Sequence, residues 1–206
     1  STTWIGDRAA AIVDRWEGGG NLLMAGFIKP HHPFDPPAPW HRMYDPEALA
    51  LVPGWTAQCL ERDLACSPGY FPNARMTEPQ LRRAMAYYYA TISQIDHQVG
   101  RLVELLKERG LYDNTLIVYT SDHGEFLGFH HLLLKGNHMY DPLVRIPLIV
   151  KYPGQERAGQ VCDALSGNVD VAPSLLRQAG CPVPATMTGA DLAAGSEGAD
   201  AVFAEA

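Results

Sequence analysis

The chain has 206 residues, 47% hydrophobic and 19% charged, which is the composition of a globular protein and not of a disordered one. Its 23 acidic residues outnumber 16 basic ones, for a formal charge of −7. That balance excludes a general binder of the nucleic-acid backbone but leaves room for a local cationic site that meets a small anion. At roughly 150 residues per domain the length suits one large domain or part of one. No apolar run approaches the roughly 18 residues of a membrane helix, and no signal-peptide pattern opens the chain. Neither nucleic acid nor membrane is expected as a partner, a homo-oligomer is left open, and the compartment is read only as a lean towards the cytoplasm. Cys59, Cys66, Cys162 and Cys181 form no CxxC pair and are too sparse for a disulfide framework, so reduced thiols are expected.

Ile5, Ala9, Ile12, Val13 and Trp16 share one helical face and predict a helix over 3–17, stopped by Gly18-Gly19-Gly20. The apolar run 22–28 has the length and composition of a strand buried on both faces. Five prolines between Pro30 and Pro39 then impose a stiff, extended loop. Residues 41–78 read as a long surface excursion with a short helix around 55–64. Met85, Tyr88, Ile92, Ile95, Val99, Leu102 and Leu106 step by alternating threes and fours, the mark of one long helix. Thr77 and Gln80 form its capping box, Pro79 fits its first turn, and Gly110 closes it. Strands are expected over 115–121 and 144–150, with Pro147 weakening the second. A short strand is expected over 161–165, a helix over 170–179, and the start of a strand over 201–204.

Alternating strands and helices predict an α/β fold with a mainly parallel or mixed sheet flanked by helices. In such sheets ligands bind beyond the carboxyl ends of the strands. His31-His32 follows the first strand and Asp122-His123-Gly124-Glu125 follows the second, so a parallel arrangement would bring both clusters to one rim. Asp122 offers a hard oxygen and His123 a nitrogen, which suit a divalent cation, although two ligands do not complete a site. The plainer reading is a turn-capping Asp and a His bound to the backbone. His31 could protonate a departing oxygen or bind an anion, against the plainer reading of two solvated loop histidines. His130, His131, Lys135 and His138 follow within 16 residues of Asp122, and Lys135 could neutralise an oxyanion. His97 lies near the helix stripe and reads as structural, and His41 and Arg42 have no supporting spacing. Cys66-Ser67-Pro68 has only the outline of a nucleophile motif, because Gly69 and Tyr70 follow where a basic residue would be needed.

Taken together, Lys29-Pro30-His31-His32-Pro33-Phe34, Thr120-Ser121-Asp122-His123-Gly124-Glu125, Lys135-Gly136 and Val144-Arg145-Ile146-Pro147-Leu148-Ile149-Val150 resemble the sulfatase branch of the alkaline phosphatase superfamily. Asp170-Val171-Ala172-Pro173-Ser174-Leu175-Leu176 resembles that family's late helix, and Asp96–Leu102 also fits. The resemblance implies an alkaline-phosphatase-like α/β fold, incomplete in this chain. It implies hydrolysis of sulfate esters, with His31 beside the leaving oxygen, Asp122 and His123 as metal ligands, and Lys135 on the transferred group. His130 and His32 are carried as substrate-binding candidates. One divalent cation is implied, calcium, manganese or zinc, with the Asp-His pair favouring the latter two. Asp-His and the segment from His31 to Tyr44 are also similar to the phosphonate monoester hydrolases, which makes hydrolysis of phosphonate monoesters and phosphodiesters the alternative.

The family's nucleophile, ordinarily a formylglycine made from cysteine, sits in a Cys/Ser-x-Pro-x-Arg motif that residues 1–206 lack. The resemblance therefore implies one partial hydrolase domain over 1–206, an internal piece of a longer enzyme with 180–206 beginning a further segment. The expected partner is a small anionic ester. A reading of another class is a non-catalytic metal- or anion-binding fragment, and a third is a helix-rich structural domain.

Overall fold

The computed structural model describes residues 1–66, 71–194 and 201–204. They form two compact units, one from Ser1–Tyr112 with His123–Arg145, the other from Asp113–Asp122 with Ile146–Ala206. Among the described residues the first unit is built of helices and loops, and the second carries a two-stranded sheet with a helix, so the chain as a whole is an α/β arrangement. No described helix is long and apolar enough to cross a membrane.

In the first unit, helix α1 (Thr2–Val13) is started by Ser1, whose Oγ accepts from the Trp4 amide. It packs on the 31-residue helix α3 (Glu78–Glu108), with the short α2 (Glu61–Cys66) between them in sequence. The capping box of α3 is as predicted: Gln80 Oε1 accepts from the Thr77 amide at 2.9 Å and from its hydroxyl at 3.1 Å. Gly110 closes the helix with a φ of 65°.

The buried face of α3 is rotated from the predicted stripe. Ile92 is 37% exposed, whereas Thr91, Gln94 and Gln98 are buried. The cause is α1. Gln94 Nε2 donates to Thr3 Oγ1 at 3.2 Å, and a Cβ on Gly6 would lie 2.2 Å from Gln98 Oε1. Polar side chains therefore make this seam, and a glycine lets the helices close. Arg109 completes it by donating to the carbonyls of Val13, Asp14 and Trp16 at and just beyond the C-terminal end of α1. The other side of α3 places Leu81 and Met85 against Met76, Leu127, Leu133 and Leu134, with Phe34 packed onto the same cluster.

In the second unit, β1 (Ile117–Thr120) and β2 (Leu148–Lys151) pair antiparallel, with Ile117 opposite Lys151 and Thr120 opposite Leu148. The ladder begins just after Pro147, which has no amide hydrogen to contribute. Residues 141–144 are instead the one-turn helix α4 (Asp141–Val144), in the first unit. Helix α5 (Val171–Gln178) follows as predicted. It is anchored by buried Asp170, which accepts from the amides of Gly167 and Ala190 at 2.8 and 2.7 Å.

Several expected elements are absent. Residues 22–28 form no strand, and Leu22, Met24 and Ile28 are 83, 92 and 77% exposed. An apolar run favours extended backbone, but a strand also needs a neighbour to complete its ladder, and no described segment pairs with this one. Residues 161–165 and 201–204 carry no strand either. The helix expected around 55–64 lies at Glu61–Cys66, and Ser67-Pro68-Gly69-Tyr70 fall outside the described residues. All four cysteines are free, as expected.

Arg109→Ala should lower stability by about 1–2 kcal/mol, because it leaves the carbonyls at the end of α1 without their cationic donor. The midpoint of urea denaturation measures this, with Lys at the same position restoring part of the loss.

Candidate active site

The Pro-rich loop is anchored before it can present anything. Phe34 meets Tyr88 of α3 edge-on at 5.4 Å between ring centroids, and Trp40 meets His97 at 5.5 Å. Lys29 Nζ donates to the Pro33 carbonyl and to the Asp35 carboxylate, which its hydrogen bond holds below the usual carboxylate range. Between these anchors the rings of His31 and His32 stack at 4.1 Å. His31 Nδ1 lies 2.7 Å from the His32 carbonyl oxygen. A carbonyl only accepts, so Nδ1 carries the proton and Nε2 is left as the outward-acting nitrogen.

The second half of the site is the loop 123–140. Its backbone doubles back on itself: Phe126 N donates to Leu134 O at 3.0 Å and Gly128 N to Leu132 O at 2.8 Å. Four non-glycine residues here, Leu127, His130, His131 and Leu134, have left-handed backbones with φ of 46–69°. Such conformations are costly and persist where surrounding contacts over-determine them. Those contacts are close. A Cβ on Gly124 would stand 2.0 Å from the Pro142 carbonyl oxygen, and one on Gly128 would stand 2.6 Å from Leu81 Cδ2.

Lys135 emerges from this loop, partly buried. Burial first, then the positive charges of His31, Lys135 and Lys29, lower the pKa of His32. Glu125 lies on the other side of the balance. Burial pushes its carboxyl up to about 7, against hydrogen bonds from the backbone of Leu127, Leu134 and Phe126 and the charge of Lys135. His31, His32 and Lys135 thus share one electrostatic neighbourhood with Lys29, and Lys135 also acts on Glu125. A cluster of this kind can hold an oxyanion.

His123 belongs to the same unit. Its Nδ1 lies 2.8 Å from the Gly124 carbonyl oxygen, so Nδ1 donates and the lone pair of the neutral ring sits on Nε2. Histidines that ligate metals have this arrangement, the second nitrogen tied to a backbone carbonyl. Asp122 belongs to the second unit and is exposed there. Among the described residues, no three His, Cys, Asp or Glu side chains gather closely enough to hold a metal ion. The parallel-strand argument for a shared rim loses its premise, because residues 22–28 form no strand and the observed ladder is antiparallel.

His130 faces elsewhere. Its Nδ1 lies 2.9 Å from Asp63 Oδ2, and its ring stacks on Phe129 at 3.9 Å. Asp63 is 2% exposed and also accepts from Tyr140 Oη at 2.7 Å, while its backbone carbonyl accepts from His138 Nε2 at 2.9 Å. Burial alone would raise the Asp63 pKa, but the hydrogen bonds from Tyr140 and His130 outweigh it and leave it lowered. Sequence reasoning missed Asp63 and Tyr140 altogether, and no local pattern signals them, since the pair is 77 residues apart. Lys29 and Glu125 lie inside two of the motifs, yet their spacing alone assigns them no role.

With this geometry in place, the relatives can be set beside it. Phosphonate monoester hydrolase SpPMH from Silicibacter pomeroyi superposes on 99% of this chain with a TM-score of 0.82 and 30% identity, over 43% of its own length. The multifunctional alkaline phosphatase superfamily protein PehA of Trinickia caryophylli is 34% identical over 93% of the chain. An arylsulfatase of Clostridium perfringens is likewise 34% identical over 93% of it. The fold class is therefore alkaline-phosphatase-like α/β. Residues 2–181 match the sulfatase family profile, and the chain belongs to that family. It spans about 40% of the length of these two curated relatives.

Asp63→Asn should cost about 3 kcal/mol at neutral pH by breaking a buried ion and hydrogen-bond network. Because the folded pKa of Asp63 is lowered, its contribution is present above the ordinary value of 3.8 and is lost as pH falls through the lowered one. Urea titrations from pH 7 to pH 3 should show that acid-side loss in the wild type and not in the variant.

Proposed function

We propose that this chain forms part of a metal-dependent hydrolase of sulfate esters. The observation that carries the reading is the grouping of His31, His32 and Lys135 with Lys29 in a protein of net charge −7. A local cationic cluster against the overall charge favours a small anion at that place. Lys135 would hold an anionic oxygen of the transferred group and stabilise charge that develops on it. His31 in its protonated form would deliver the Nε2 proton to the departing oxygen, while the His32 carbonyl holds Nδ1–H and so orients the ring. His32, with its lowered pKa, would stay neutral beside these cations and present a donor to the same anion. His130 would act at one remove, since Asp63 engages its Nδ1.

Asp122 and His123 are the residues that would hold a divalent cation, and the His123 tautomer suits that role. An oxygen and an imidazole nitrogen suit manganese or zinc as well as calcium. When bound, the cation would polarise the ester's central atom. The nucleophile, expected as formylglycine, would come from outside this chain, which carries no Cys/Ser-x-Pro-x-Arg motif.

Hydrolysis of phosphonate monoesters or phosphodiesters is the second reading. It is favoured by the likeness to the Silicibacter pomeroyi phosphonate monoester hydrolase. Both ester types present a tetrahedral, singly charged centre to the same cations.

The natural protein containing these residues, assayed with an aryl sulfate, a phosphonate monoester and a phosphodiester, decides between them. The sulfate should have the highest kcat/KM, a chelator should abolish turnover, and Lys135→Ala should lower kcat/KM roughly 100- to 1,000-fold. Preference for a phosphorus ester selects the second reading. No metal-dependent turnover of any of the three rejects both.

A further inference from the structure

Four residues of the long excursion, Gly54, Thr56, Asp63 and Asn73, grip the Lys135 loop on both sides of that lysine. Upstream, His130 N donates to the Gly54 carbonyl and His131 Nδ1 to the Thr56 carbonyl, each at 2.9 Å. Closer in, the amide of buried Leu133 donates to Asn73 Oδ1 at 2.9 Å. Downstream, His138 Nε2 donates to the Asp63 carbonyl at 2.9 Å and Tyr140 Oη to the Asp63 carboxylate at 2.7 Å. Lys135 itself lies in no helix or strand. Its backbone is placed by these flanking anchors and not by a ladder of its own. Leu134, just before it, has a left-handed backbone with φ of 69°. That turn sets the direction in which the chain presents Lys135, and it persists while its flanks are held.

Asn73 is a stiff anchor. It is 2% exposed and begins a short helical turn, Asn73–Arg75. Its amide donates to Phe71 O at 2.8 Å, and its carbonyl accepts from Met76 N at 2.9 Å. Met76 packs with Leu133 and Leu134 in the apolar cluster on α3. A polar side chain in such surroundings costs stability unless it is hydrogen-bonded, and an apolar one would serve packing alone. What the Asn73 amide adds is a fixed acceptor two residues before Lys135. Asn73, His138 and Lys135 also line one crevice too small to admit a water molecule, so no solvent layer cushions a shift of either anchor.

We propose that Asn73 and Asp63 are positioning residues for Lys135: they clamp residues 133–138 and so fix where the ammonium stands relative to an anion in the cationic cluster. The effect on turnover rests on the hydrolase reading above; the effect on anion affinity does not.

The test is a double-mutant cycle in the natural protein, run with whichever of the three esters it turns over fastest. Asn73→Ala should lower kcat roughly 10- to 100-fold, the order expected when a charge-stabilising group moves by about 1 Å, with KM changed less than about threefold. In a Lys135→Ala background the same substitution should lower kcat less than about twofold, because no ammonium is left to misplace. An equal loss in both backgrounds marks a merely structural role and overturns the proposal while the hydrolase reading stands. Wild-type kcat in Asn73→Ala overturns it as well. If Asn73→Ala does not fold, the other flank decides. His138→Phe keeps a ring against Phe126 and Tyr140 but has no donor for the Asp63 carbonyl, so it should repeat the cycle. His138→Gln, whose side-chain amide supplies that donor, should recover most of the lost kcat. If no ester is turned over, the hydrolase reading fails and the cycle is read on calorimetric affinity for inorganic sulfate. Asn73→Ala should then weaken binding roughly three- to tenfold when Lys135 is present and not in Lys135→Ala, and equal affinities throughout overturn the proposal.

Discussion

A buried carboxylate is the constraint on which the first unit turns. Asp63 is 2% exposed, and an ion taken out of water must be met by donors at close range. Tyr140, His130 and, through its backbone, His138 meet it, and all three lie on the loop that carries Lys135. That requirement explains why non-glycine residues tolerate left-handed backbone at positions 127, 130, 131 and 134. Giving up the bend would separate the donors from the anion, and that costs more than the strain. The stiffness of the loop is therefore set some distance from the cationic cluster and delivered to it through the chain.

The cluster itself is a balance of unlike terms. Each added cation raises the attraction for an anion and also depresses the proton affinity of its neighbours, as the lowered pKa of His32 records. Glu125 moderates the field near Lys135 without neutralising it outright, since burial pushes its own carboxyl up to about 7. A cluster assembled this way has its cationic groups in place before any anion arrives, so less reorganisation is needed to hold one.

Much of this was legible in the amino-acid order. The capping box at Thr77 and Gln80, the end of α3 at Gly110 and the helix over 171–178 follow from local rules, and the structure keeps them. Phe34 and Leu133 belong to one apolar cluster on α3, a long-range packing that no spacing along the chain announces. What local rules could not supply were decisions made by partners far away in sequence. The face that α3 buries was chosen by α1, through Thr3 and Gly6. The role of His130 was chosen by Asp63, 67 residues earlier. The strand expected over 22–28 failed for the same kind of reason: its side chains satisfy the pattern, but its ladder needs another segment.

That last segment has a material consequence. Along 22–28 exposure alternates strictly, with Leu23, Ala25 and Phe27 turned partly inward and Leu22, Met24, Gly26 and Ile28 facing water. An extended stretch with an oily outer row and an unmatched edge is a template for another stretch like it. In a solution of these 206 residues alone, this short apolar ribbon is one place where copies of the chain would associate. A covering polypeptide laid along that edge would shield Leu22, Met24 and Ile28 together.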